Sequence, residues 1–187
     1  MENETRRQCI IPLHKPSLKE LIFFFASGIL VSIPFTTFFE GLYPTSLSSV
    51  LLIIVLTPLI EELAKVFPLF YRHGETERSL VTLGLLVGLG FGVAEFLELI
   101  FLAGASVIGS LPHIIFHASS ATITAYGIAK KNPLPYYGIA VLLHGAANYS
   151  AYSNDIFSAS AYLLILILVY ILAWRFYSKS SKDKMVV

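Results

Sequence analysis

The chain has 187 residues, 56% of them hydrophobic and 13% charged, with a net charge of +1. A water-soluble domain carries about a quarter of its residues as charges, so a solvated globular surface is excluded. The near-neutral balance also leaves no basic face for nucleic acid, and the single cysteine, Cys9, permits no internal disulfide.

A polar N-terminal segment, residues 1–17, comes first. The apolar run behind it is too long for a signal peptide and lacks a small-x-small cleavage site, so it is expected to stay as the first span. Runs of about 20 apolar residues then recur, each long enough to cross a hydrocarbon core about 30 Å thick. They predict six helices, at 18–39, 47–71, 79–103, 107–129, 134–152 and 156–177, with a tail at 178–187. The expectation is an all-α, polytopic membrane bundle of about six transmembrane helices forming one domain, 1–187, with the lipid bilayer as its surroundings.

Basic residues alternate along the connections. Arg6, Arg7, Lys15 and Lys19 lie at the start, Arg72 and Arg78 in the second connection, Lys130 and Lys131 in the fourth, and Arg175, Lys179, Lys182 and Lys184 at the end. "GLYPTS", "GAS" and "SND" in the first, third and fifth connections contain none. This pattern matches the positive-inside rule with both termini cytoplasmic. Gly84, Gly88 and Gly92, four residues apart on the third helix, form a groove for close helix approach. The small-residue run "HASSATITA" on the fourth helix is its expected partner.

Ionisable residues inside these runs need a reason, because each costs at least about 2.5–3.5 kcal/mol at the bilayer centre. Helix two carries Glu61, Glu62 and Lys65; helix three Glu95 and Glu98; helix four His113 and His117; helix five His144 and Asn148. At 1.5 Å of rise per residue, Glu61, Glu62 and His144 fall about 15 Å from the presumed cytoplasmic end, His117 and Asn148 about 20 Å, Glu95 and His113 about 25 Å. Glu98, at about 28 Å, lies nearer the external edge. Spacings of four put Glu61 with Lys65, His113 with His117, and His144 with Asn148 on single faces. Four polar stripes at similar depth can converge on a water-containing cavity. Pro58 and Pro68 frame the acidic pair and are expected to release the carbonyls of Ile54 and Ala64.

An apolar cavity makes a carboxylate a better proton acceptor. Adjacent Glu61 and Glu62 leave the helix about 100° apart, so they need not do the same work. Histidines and an asparagine add an acid or donors for a developing oxyanion, and the whole set suits amide hydrolysis. A zinc site is a second option: "HIIFH" has the i, i+4 spacing of a metal-binding helix, with His144 or a glutamate to complete it. The H-E-x-x-H signature is absent, since Ile114 stands where its glutamate would be.

Four motifs then carry a family resemblance. "EELAK" (E-E-x-x-K), "GFGVAE" (G-F-x-x-x-E), the histidine helix "HASSATITAYG" and "LHGAANY" (H-x-x-x-N) occur in order, one per helix, from Glu61 to Asn148. The set resembles the PrsW family of intramembrane proteases, within the wider group that includes CAAX prenyl-protein proteases and bacteriocin-processing enzymes. The resemblance implies an endopeptidase acting on membrane-anchored proteins in a prokaryotic cell membrane. It implies Glu61 and Glu62 as the base pair, Glu95 and His117 as water-positioning groups, and His144 with Asn148 as oxyanion donors. By their own placement Lys65, beside the acidic pair, and His113, in a structural hydrogen-bonding role, are supporting residues. The glutamate mechanism requires no metal, although the family is often labelled metalloprotease. Two departures stand out: Phe96 follows Glu95, where asparagine is frequent, and the arginine often found ahead of the histidine helix is missing. A prenyl-protein protease is the less favoured alternative, because Lys65 and Glu95 differ from its E-E-x-x-x-R and F-x-x-x-H. Outside the proteases, the same buried Glu/His set suits an ion- or proton-coupled transporter, and a non-catalytic scaffold is the third option.

Overall fold

The computed structural model describes residues 15–42, 48–72, 75–152 and 155–186. Arg6, Arg7 and Cys9, the predicted start at Leu47, and the connections around Pro44 and Asn154 lie outside them. The described residues form six helical stretches and no strand: α1 (Leu18–Glu40), α2 (49–71), α3 (Glu77–Phe101), α4 (Val107–Ala129), α5 (Pro133–Tyr152) and α6 (Ile156–Lys179). Every bound that falls on described residues lies within two residues of its prediction. Two of the six, α3 and α6, are long and apolar enough to cross a membrane by length and composition.

The helix ends follow local chemistry. Ser17 and Glu20 form a capping box at α1, with Glu20 Oε2 accepting from the Ser17 N–H at 2.7 Å. Thr76 and Ser106 cap α3 and α4 by accepting from the N–H groups of Ser79 and Gly109. Asp155 caps α6 by accepting from Phe157 and Ser158. α4 stops where Lys131 takes a positive φ of 57°, and Pro133 opens α5 at a position that needs no N–H.

α2 is segmented: a first α turn (Ser49–Leu51), a π turn (Leu52–Leu56), an α segment (Thr57–Val66) and a closing 3-10 turn (Phe67–Tyr71). Pro58 accounts for the π turn. Without an N–H it cannot continue the α ladder, and the Thr57 N–H instead reaches back five residues to Leu52. That register corrects one expectation. The carbonyl whose partner is lost becomes that of Ile53, five residues before Pro58, rather than that of Ile54. Asn148 Nδ2 on α5 donates to it at 2.9 Å. Ile54's carbonyl oxygen lies where a side chain on Gly145 would begin, so only glycine lets α5 come this close. At Pro68 the tightened turn answers the break locally, and the Ala64 carbonyl accepts from the Phe67 N–H.

α3 is the central helix. Gly84, Gly88 and Gly92 face Ala125, Ala121 and Ile114 of α4 across a close helix approach, as the small-residue pattern predicts. A second close crossing was not anticipated: Gly90 of α3 and Gly28 of α1 each leave room for the other helix's backbone. Val81, Leu83 and Val87 are buried there with Phe24, Val66 and Leu69, while Phe116, Ile123, Ala147, Val169 and Ala173 form a second cluster joining α4, α5 and α6.

The start of α1, the ends of α2 and α4, and the tail after α6 meet at one end of the bundle. Arg72 pairs with Glu75 and, at 2.7 Å, with Glu20. Glu77, buried, is held by Lys130 at 2.6 Å and by the Ser181 N–H at 3.0 Å. The tail folds back on α3: Val186 donates to the Glu75 carbonyl and Glu77 to the Lys184 carbonyl.

Candidate functional site

The site is a chain of polar side chains crossing the interior from α5 to α4. Glu61 and Glu62 project differently from α2. Glu62 is fully buried, whereas the Glu61 side chain keeps 12% of its surface exposed. Glu62 Oε1 meets Lys65 Nζ at 2.5 Å and His144 Nδ1 at 2.9 Å. Lys65, one turn along α2, continues to His117 Nδ1 at 2.7 Å. His117 Nε2 is in direct contact with the Glu95 carboxylate, and His113 Nδ1 reaches Glu95 Oε2 at 3.3 Å. On the other side, His144 Nε2 faces Glu61 Oε2 at 3.7 Å. That separation is too long for a direct hydrogen bond, yet one water beside the pair can reach both.

Aromatic packing holds the imidazoles. Phe91 and Phe116 stand against the His117 ring, with centroids 4.9 and 5.5 Å away. Phe116 also meets the His144 ring edge-on at 5.2 Å, and the two histidine rings lie 5.3 Å apart. Local sequence explains the placement: "GFGVAE" puts Phe91 and Glu95 one turn apart on the face of α3 that its glycines press against α4.

Of the predicted set, Glu61, Glu62, Lys65, Glu95, His113, His117 and His144 come together. Asn148 is engaged with the Ile53 carbonyl, so one of its amide donors supports the kinked helix and not an oxyanion. Glu98 is exposed. Two participants escaped sequence reasoning. Ser120 accepts from Lys65 at 3.4 Å and sits one turn beyond His117, which was the available signal. Tyr137, whose hydroxyl donates to the Leu59 carbonyl at 2.7 Å, carried no signal at all.

Two trios have ligating atoms within 4.8 Å of one another: Glu61, His117 and His144, and Glu95, His113 and His117. His144 suits a metal ligand, because Glu62 backs its Nδ1 as an outer carboxylate. His117 does not. Lys65 occupies Nδ1 and Glu95 meets Nε2, so closing the first trio around a cation displaces one of them. Closing the second needs a lone pair on both nitrogens of the His117 ring with the Lys65 ammonium still on Nδ1. The residues present do not fit a three-ligand metal centre. What they can do is hold a water against Glu61 and His144, with Glu62 and Lys65 behind.

No protein-family model, curated protein or solved structure matches this chain.

Proposed function

We propose that the chain is a multi-pass membrane protein with six spanning helices and both termini cytoplasmic, and that it is an intramembrane endopeptidase of the PrsW type. The membrane reading rests on an outward apolar shell around a polar interior. α6 has a hydropathy of 2.5 in its most apolar window, only 11% of which is buried by the rest of the chain. Phe157, Leu164 and Trp174 on it stand exposed. Such a surface is stable in lipid and prone to association in water. The alternation of basic connections supplies the orientation.

The observation that carries the catalytic reading is Glu61 opposite His144 Nε2 with Glu62 behind His144 Nδ1. In the proposed reaction a water attacks the scissile carbonyl while Glu61 takes its proton. The C–O bond forms and the carbonyl oxygen becomes an oxyanion. His144, protonated on both nitrogens and steadied by Glu62, donates from Nε2 to that oxygen. Glu61 then gives its proton to the departing nitrogen as the C–N bond breaks, leaving a carboxylic acid and an amine. Glu61, the more accessible carboxylate, is the base, and Glu62 is the positioning group. The substrate class is a membrane-anchored protein able to present an extended segment to α2 and α5.

Cleavage of membrane-anchored substrates in liposomes tests this. Glu61→Gln and His144→Ala are expected to abolish hydrolysis, by about 10²-fold or more; unchanged cleavage in both variants refutes the site. A second reading has one observation in its favour. Direct contacts run from His144 through Glu62, Lys65 and His117 to Glu95 and His113, with Glu61 one water away from His144, as a proton relay would. Glu61-dependent proton flux in the same liposomes, without peptide hydrolysis, would establish the transporter instead.

A further inference from the structure

Lys65 lies at the midpoint of the polar chain and touches neither the proposed water nor a scissile bond, yet it is fully buried. A lysine ammonium has three N–H donors and no lone pair. Those of Lys65 meet Glu62 Oε1 at 2.5 Å, His117 Nδ1 at 2.7 Å and Ser120 Oγ at 3.4 Å, with the Phe91 ring centroid 4.9 Å from Nζ. Three donors have three acceptors. A ring nitrogen facing an ammonium must present its lone pair, so His117 carries its proton on Nε2, the nitrogen that meets the Glu95 carboxylate. The opposite tautomer would set two donors against each other at Nδ1 and a lone pair against a carboxylate at Nε2. Turning the ring over is opposed by Phe91 and Phe116 packed around it. His144 shows the reverse arrangement, with its Nδ1 facing a carboxylate.

We propose that Lys65 is a positioning residue: its ammonium holds His117 as the Nε2–H tautomer and so puts a proton, not a lone pair, on the nitrogen nearest Glu95. Two histidines on neighbouring helices thereby receive opposite polarity, His117 accepting at Nδ1 and His144 donating there. The same arrangement keeps His117 from metal ligation. The proposal stands on geometry alone and deepens the peptidase reading without depending on it.

The test is nitrogen NMR of the full chain in detergent micelles with histidine labelled in both ring nitrogens, His117 being assigned by its loss in His117→Gln. In the wild type His117 is expected to show a bare Nδ1 and a protonated Nε2, and His144 a protonated Nδ1. Lys65→Arg retains the His117 signature. Lys65→Met, in which Glu95 alone still favours Nε2–H, is expected to give a mixed population of the two tautomers. A wild-type His117 protonated on Nδ1 overturns the proposal, as does an unchanged His117 signature in Lys65→Met. A wild-type ring protonated on Nδ1 refutes the idea by itself, so misfolding of Lys65→Met does not rescue it, and Lys65→Arg against Lys65→Met assigns the effect to the cation. If His117 shows the expected signature while the liposome assay finds no hydrolysis, the tautomer assignment stands and only the peptidase reading falls.

Discussion

Replacing Gly88 by alanine tests whether helix packing sets the site. The new Cβ would lie 2.6 Å from Ala121 Cβ and 3.0 Å from Ala118 Cα, with the His117 carbonyl oxygen closer still. The oxygen and the Cα are backbone atoms that cannot rotate aside. Ordinary contact begins at 3.4 Å, so α3 and α4 must part by at least about 0.8 Å at this level, and by more where the His117 oxygen lies. Overpacking of this kind costs about 1–3 kcal/mol, which outweighs the about 0.5–1 kcal/mol that alanine usually gains over glycine inside a helix. The carbonyl being pushed belongs to His117, whose ring bridges Lys65 and Glu95. A displacement near 1 Å at a positioned group lowers a rate by about 10²-fold. Gly138→Ala on α5, with nothing within 4 Å of the added Cβ, is the matched control. It is expected to raise stability by about 0.5–1 kcal/mol and to leave hydrolysis unchanged. Thermal unfolding in detergent and cleavage in liposomes read both effects. If the two alanine variants behave alike, the reasoning fails.

Other outcomes separate roles that the two adjacent glutamates could share. Glu62→Gln leaves the buried Lys65 ammonium without its carboxylate and is expected to cost about 3–5 kcal/mol. Glu61→Gln should move the unfolding midpoint little while removing activity, and equal destabilisation by both substitutions would contradict the assignment of base and positioning group. Asp155 supplies a pH signature at the opposite end of the bundle. The Ser158 hydroxyl, then the Ser158 and Phe157 N–H groups, hold its carboxyl below the usual value of 3.8. Its contribution to α6 is therefore complete above that value and falls away as pH drops below it. Asp155→Asn should flatten this part of the stability–pH curve, and an unaltered curve would show the cap to be inert.

Much of the architecture was written in local pattern. Apolar runs of spanning length located all six helices, because helix extent here depends on composition and on caps such as Ser17, Thr76 and Asp155. The Gly84–Gly88–Gly92 spacing located the α3–α4 contact, because a groove of missing side chains is a property of one helix face. The candidate set was legible for a related reason: buried Glu, Lys and His on apolar helices are too costly to be incidental. The crossing through Gly28 and Gly90 was not legible, since isolated glycines announce no partner.

What the sequence by itself determined is the inventory: which helices exist, which carry ionisable groups, and at what depth along each axis those groups lie. Only the tertiary structure decided who faces whom. Rotation of each helix about its axis, and the one-residue register change that Pro58 forces on α2, settle that Asn148 serves Ile53. They also settle that Glu62 stands behind His144, Glu61 in front of it, and Lys65 between Glu62 and His117. The physical reason is that periodicity constrains each helix alone, whereas azimuth and register come from packing between helices, where a shift of one residue turns a side chain by about 100°.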